Sequence, residues 1–143
     1  MDGVQLSLFG EGASRGLAPP EKPCVLISRC LLGVSCRYHG RDLKEHSQAR
    51  RLRKRYRLVD VCPECDAGLP TPRPPTYVIE GRWMSDGRDL TDIFWRGAEL
   101  ALEAALEFGC QRAYLLRGSP ACGIGYGAAA LLLAQHGIEV FAV

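Results

Sequence analysis

No apolar stretch in the 143-residue chain approaches the roughly 20 residues that a membrane helix requires. The best candidate, "AAALLLAQHGIEVFAV", is broken by Gln135, His136 and Gly137. A cleavable secretory segment is also lacking, so the expectation is a soluble, cytoplasmic protein. Charge of one sign is not in excess: the net charge of +2 selects neither nucleic acid, nor small anions, nor the absence of a charged partner. Cysteine is the exception to this spareness, with seven residues, and the odd count argues against a disulfide scaffold. Reduced thiols are the expectation.

Residues 1–23 mix Gly, Pro, Ser and charge, and read as a flexible N-terminal tail ahead of one domain over residues 24–143. Within the tail, "QLSLF" resembles the short peptide by which many bacterial proteins dock on the replicative sliding clamp. Gln5, Leu6, Leu8 and Phe9 would be its anchors. The plainer meaning is a tail segment packing on its own domain.

Beyond the tail the chain alternates. "CVLIS" (24–28) reads as a buried strand, "DLKEHSQARRLRKRYR" (42–57) as a helix and "LVDV" (58–61) as a second strand. "TYVIEGRWMSDG" (76–87) suggests a β-hairpin around Glu80-Gly81, outside the main sheet. The helix over 91–109 takes Thr91 as its N-cap, apolar positions Phe94, Ala98, Ala101, Leu102, Ala105 and Phe108, and Gly109 as its stop. "RAYLL" (112–116), a small-residue helix over 125–137 and "IEVFAV" (138–143) complete the series. Wholly apolar strands separated by helices predict an α/β fold: a single three-layer domain with a mainly parallel sheet, Rossmann-like or flavodoxin-like, plus a small hairpin.

Ligands of such sheets bind beyond the carboxyl ends of the strands. Cys30 follows the first strand, Cys62 the second, and Cys122 lies in "GSPACG" after the third, so three loops converge on one rim. Cys36 and Cys65 could reach the same place, whereas Cys24 and Cys110 fall elsewhere as structural thiols. A structural zinc site wants paired motifs, and only one C-x-x-C exists. A redox dithiol wants a helix after its motif, which "DAGLPTPRPP" does not offer. An iron–sulfur cluster accepts ligands from separate loops, and three thiolates leave one iron open as a Lewis acid.

Other residues on the rim carry two meanings each. Glu64, beside Cys62, is a general base or an exposed loop acid. Ser119 positions water or ligand, or simply caps a turn. "GLPTPRPP" (68–75) is stiff enough to hold Arg73 over a pocket, or is a rigid linker. "ARRLRKRYR" (49–57) attracts phosphates or is a solvated helix face.

Several strings together resemble the DUF523 family, whose characterised members are thiouracil desulfidases: "ISRCLLGVSCRYHG", "VDVCPE", "GLPTPRPP", "DGRDLT" with "RGAELAL", and "RGSPACG", in that order. The resemblance spans about residues 24–143. It implies a [4Fe-4S] cluster held by Cys30, Cys62 and Cys122, with one iron free for the thione sulfur of the substrate, Glu64 as acid/base and Ser119 as its partner in handling water. Cys36 lies within a family motif and is the main rival for a ligand position. Cys65 stands where other members commonly carry an apolar residue. The implied activity is non-redox conversion of thiouracil (2-thio or 4-thio), or a thiouridine in a nucleoside or transfer RNA, to the oxo base and sulfide. The alternative from another class is an iron–sulfur or zinc RNA-binding module without catalysis.

Overall fold

The computed structural model describes residues 21–143; the "QLSLF" segment and most of the expected tail lie outside the described residues. Four strands form the main sheet: β1 (Cys24–Ser28), β2 (Arg57–Val61), β6 (Arg112–Leu115) and β7 (Glu139–Ala142), ordered β2-β1-β6-β7 and parallel throughout. From β1 the chain goes to β2 on one side and later to β6 on the other. That reversal creates the crevice at which flavodoxin-like sheets bind ligands.

Alternating side chains give the sheet two buried faces. Leu26, Ala113 and Leu115 pack beneath helices α3 (Thr91–Glu107) and α4 (Ala128–Gln135), together with Phe94, Ala98, Ala101, Ala105 and Leu133. Val25, Ile27 and Tyr114 face the other way, under Ala49 and Leu52 of α1 (Ser47–Arg53). The three-layer α/β expectation holds, with one thin layer: α1 is only seven residues long, and stacked Tyr114 and Phe141 cover part of its face.

α1 is shorter than the 42–57 helix expected from sequence. His46 caps it by accepting the Gln48 N–H, and Arg57 is already paired with Cys24 in the sheet, so neither end can extend. The fourth helix is likewise shorter than 125–137. Gly127 precedes it because its Cα lies against the Ala121 carbonyl, where a Cβ would come within 2.6 Å. Thr91 is not the N-cap of α3 but its first residue. Asp89 performs the capping instead, accepting from Thr91 N at 3.0 Å and Thr91 Oγ1 at 2.6 Å. Phe108 falls past the helix end and is exposed.

The hairpin is present as β3 (Tyr77–Ile79) and β4 (Arg82–Ser85), extended by β5 (Arg88–Asp89) into a small antiparallel sheet. Glu80 and Gly81 both have positive φ, as a tight two-residue hairpin turn requires. The small sheet is outside the main one yet anchored to it by Trp83, which is buried against Phe94 and Trp95 of α3. Its indole N–H donates to Pro120 O at 2.7 Å and so props up the loop that leads to Cys122.

Between β2 and β3 lies a one-turn helix, α2 (Pro63–Asp66), on which α3 packs. The contact needs glycine at position 97, since a Cβ there would sit 2.2 Å from Pro63 O. Gly97→Ala gains helix propensity but forces α3 away from α2. We expect a net loss of about 1–3 kcal/mol, measured by denaturant unfolding of the purified protein.

Candidate active site

A cavity of about 90 Å³ opens at the carboxyl ends of β1, β2 and β6. Its wall carries Cys30, Cys36, Cys62 and Cys122, together with Glu64, Arg73 and Ser119. The rim predicted from strand order is therefore the rim observed. Cys65 does not line the cavity: its thiol lies 3.3 Å from Thr71 Oγ1 and 3.5 Å from Cys36 O, behind the wall. Cys24 and Cys110 are away from it, at the other end of the sheet.

Three of the four cavity cysteines are placed by backbone that the fold fixes. Cys30 sits in a short 3-10 turn, Arg29–Leu32, which begins where β1 ends and closes on Gly33 in the left-handed region. Cys62 follows β2 directly and precedes α2; its N–H donates to Asp66 Oδ2 at 3.1 Å, and its carbonyl accepts the Asp66 N–H at 2.8 Å. Cys122 is held by Ser119, whose hydroxyl oxygen accepts the amides of Ala121 and Cys122, both at 3.1 Å. Ser28 accepts Leu116 N at 2.9 Å and donates to Cys122 Sγ at 3.2 Å.

The thiols differ in how readily they lose protons. Cys36 hydrogen-bonds toward Cys30 and holds the Cys30 thiol below its ordinary value, against the opposing effect of burial. Cys36 itself is pushed up to about 12 by that same bond. Cys62 is raised by its bond to Cys36 and by burial. Burial pushes Cys122 up to about 11, with Ser28 pulling the other way. Soft-metal binding requires thiolates, so loading this site releases protons.

Arg73 is nearly as buried as the thiols and uses its whole guanidinium. Nε donates to Glu64 Oε1 at 3.0 Å, Nη2 to Cys36 O at 2.9 Å, and Nη1 to Pro70 O and Thr71 Oγ1, both at 3.0 Å. The proline-rich segment does hold Arg73 over the pocket. Glu64 is no exposed loop acid: its side chain is 12% exposed. Burial raises its pKa, and Arg73 only partly offsets this.

All four free cavity thiols could hold a metal group. Among the described residues, no three Cys, His, Asp or Glu side chains converge tightly enough for a single ion. Thiols spread around a cavity suit a multi-atom, sulfur-rich group better than one cation. The basic run is partly spent on ion pairs: Arg50 and Arg53 meet Glu45, and Arg57 meets Glu21.

Sequence reasoning missed Ser28, Arg29 and Asp66. Arg29 Nε donates to Asp60 Oδ2 at 2.6 Å, and its Nη1 and Nη2 reach the two oxygens of Asp66 at 2.9 and 3.2 Å. A charged residue directly after an apolar strand and directly before a rim cysteine was the available signal.

Comparison with known proteins agrees with this geometry. A family model described as 2-thiouracil desulfurase matches residues 25–142. The chain is 31% identical over 144 residues to an uncharacterized protein, YbbK, of Bacillus subtilis (strain 168), covering 81% of this chain and 93% of the relative. It is similar to the solved structure of a [4Fe-4S]-dependent thiouracil desulfidase, TudS (DUF523Vcz), with a TM-score of 0.76 and 37% identity over 85% of this chain and 91% of the other. The resemblance first carried by five short motifs thus extends over the whole described domain. The chain belongs to the 2-thiouracil desulfurase family, a family of desulfidase enzymes.

Proposed function

We propose that this protein binds a [4Fe-4S] cluster through Cys30, Cys62 and Cys122 and hydrolyses thiouracil, or a thiouridine-containing substrate, to the oxo base and sulfide. The observation that carries the reading is a buried carboxylate in the wall of a cavity whose cysteines come from three separate loops. When bound, such a cluster with one iron lacking a protein ligand supplies a soft Lewis acid for a thione sulfur. Transfer RNA is a further candidate substrate, because Arg51, Lys54 and Arg55 are free of ion pairs among the described residues. Free thiols and the proposed cluster support a reducing, cytoplasmic compartment for this activity.

The protein's own residues handle the water. Arg73 fixes Glu64 through Oε1, so Oε2 is the oxygen available to take a proton from water entering the cavity. The dry surroundings favour that proton uptake while Arg73 keeps the carboxylate oriented. Ser119 spends its oxygen on two loop amides, which leaves its hydroxyl hydrogen as a donor rather than a base. Glu64 therefore removes the proton, and Ser119 steadies the oxygen that is adding to the C=S carbon. Cleavage of the C–S bond then releases hydrosulfide, and no net electron transfer is required.

Cys36 stands between Cys30 and Cys62, hydrogen-bonded toward both. It remains the rival ligand. Cys65 serves the wall behind the cavity, in contact with Thr71 and Arg73.

Anaerobic reconstitution with iron and sulfide is expected to give brown protein that releases sulfide from 4-thiouracil or 2-thiouracil; colourless, inactive protein refutes the proposal. Cys62→Ser should lose both colour and turnover, whereas Cys65→Ser should keep both, as read by iron content and sulfide release. Glu64→Gln should retain the visible spectrum and iron content while turnover falls by about two to four orders of magnitude.

A further inference from the structure

Cys30 and Cys62 belong to different loops, and a shared ligand would need their separation to be set before it arrives. β1 and β2 end in register, with Ser28 opposite Val61, so the next residues on each strand are Arg29 and Cys62. Parallel pairing stops there. From that point Arg29 joins the start of the Cys30 loop to the Cys62 loop, meeting Asp60 on one side of Cys62 and Asp66 on the other, while further along the same loop the Cys36 carbonyl meets the thiols of Cys62 and Cys65.

Asp66 completes the link. Its carboxylate receives the Arg29 guanidinium through both oxygens, and Oδ2 also accepts the Cys62 N–H. Its own N–H donates to the Cys62 carbonyl at 2.8 Å. Both backbone polar groups of Cys62 therefore end on Asp66, and Asp66 ends on the residue that precedes Cys30. A two-pronged guanidinium fixes orientation as well as distance, which the point charge of lysine cannot do. These pairs are partly exposed, Arg29 by 24% and Asp66 by 29%. Isolated pairs of this kind add little to global stability. Their effect is local.

We propose that Arg29 is a positioning residue which, through Asp66 and Asp60, sets the spacing between the Cys30 and Cys62 loops and so governs how firmly the site retains its metal group. The effect on retention rests on the cluster reading above, whereas the effect on the Cys62 backbone does not depend on it.

Two measurements on the full chain test the inference separately. In cluster-free protein, amide hydrogen exchange at Cys62 should accelerate roughly tenfold in Asp66→Ala and measurably in Arg29→Ala, with Asp66→Asn intermediate because it keeps an acceptor. In reconstituted protein, a ferrous chelator should strip iron from Arg29→Ala and Arg29→Lys about tenfold faster than from wild type. The melting temperature of the cluster-free variants should stay within a few degrees of wild type, and Arg29→Ala combined with Asp66→Ala should lose iron more slowly than the two single effects multiplied would give, because both remove the same Arg29–Asp66 link.

Unchanged Cys62 exchange in Arg29→Ala overturns the inference, as does iron loss that merely parallels a fall in melting temperature. Additive losses in the double variant overturn it as well. Wild-type protein that takes up no cluster refutes the desulfidase reading instead, and the exchange measurement then decides the positioning role by itself. If Arg29→Ala does not fold, Arg29→Lys and Asp66→Asn, which remove little or no bulk, carry both measurements.

Discussion

Parallel pairing of β1 with β2 on one side and β6 on the other is the constraint on which everything else in this domain depends. Parallel neighbours send their chain ends the same way, so the residues after all three strands emerge at one edge. Because β1 is central, its two partners diverge there and leave a crevice rather than a closed surface. Ser28, at the last paired position of β1, turns this topology into a working wall. Its single hydroxyl ties Leu116 beyond β6 to the thiol of Cys122, and its neighbour Arg29 ties β1 to the far side of β2.

What the secondary layers contribute is support for that edge. α3 comes so close to α2 that only a glycine fits, and the short helix bearing Glu64 is thereby backed by the longest helix of the domain. The small sheet performs a comparable service for the Cys122 loop through the indole of Trp83. Neither element supplies a reacting group. Both limit how far the loops can drift, and so keep the thiols of three loops on one cavity.

Much of this was legible in the sequence because it depends on local pattern. Apolar runs marked the strands, glycines marked the ends of helices, and strand order alone sorted Cys30, Cys62 and Cys122 from Cys24 and Cys110. The stiffness of "GLPTPRPP" even pointed to Arg73. What stayed hidden were contacts between side chains far apart in the chain: Ser28 with Cys122, Arg29 with Asp66, Trp83 with Pro120. No propensity encodes such pairs, since each residue is ordinary in its own neighbourhood. Helix limits failed for a related reason. His46 and Asp89 captured backbone amides that composition alone had left to others, and the sheet claimed Arg57 before the helix could.

The guanidinium of Arg73 has one more consequence. Glu64, the carbonyl of Cys36 and the segment Pro70–Thr71 all converge on it, so three stretches of chain share one hub. Residues joined in this way do not vary independently: a change that suits one partner withdraws a buried hydrogen bond from the others. The shape of the cavity is therefore easier to alter at side chains that hold no bond to the guanidinium. The exposed side chain of Tyr38, on the same cavity, takes no part in the guanidinium's bonds, although the Tyr38 carbonyl accepts the Arg73 backbone N–H at 2.8 Å.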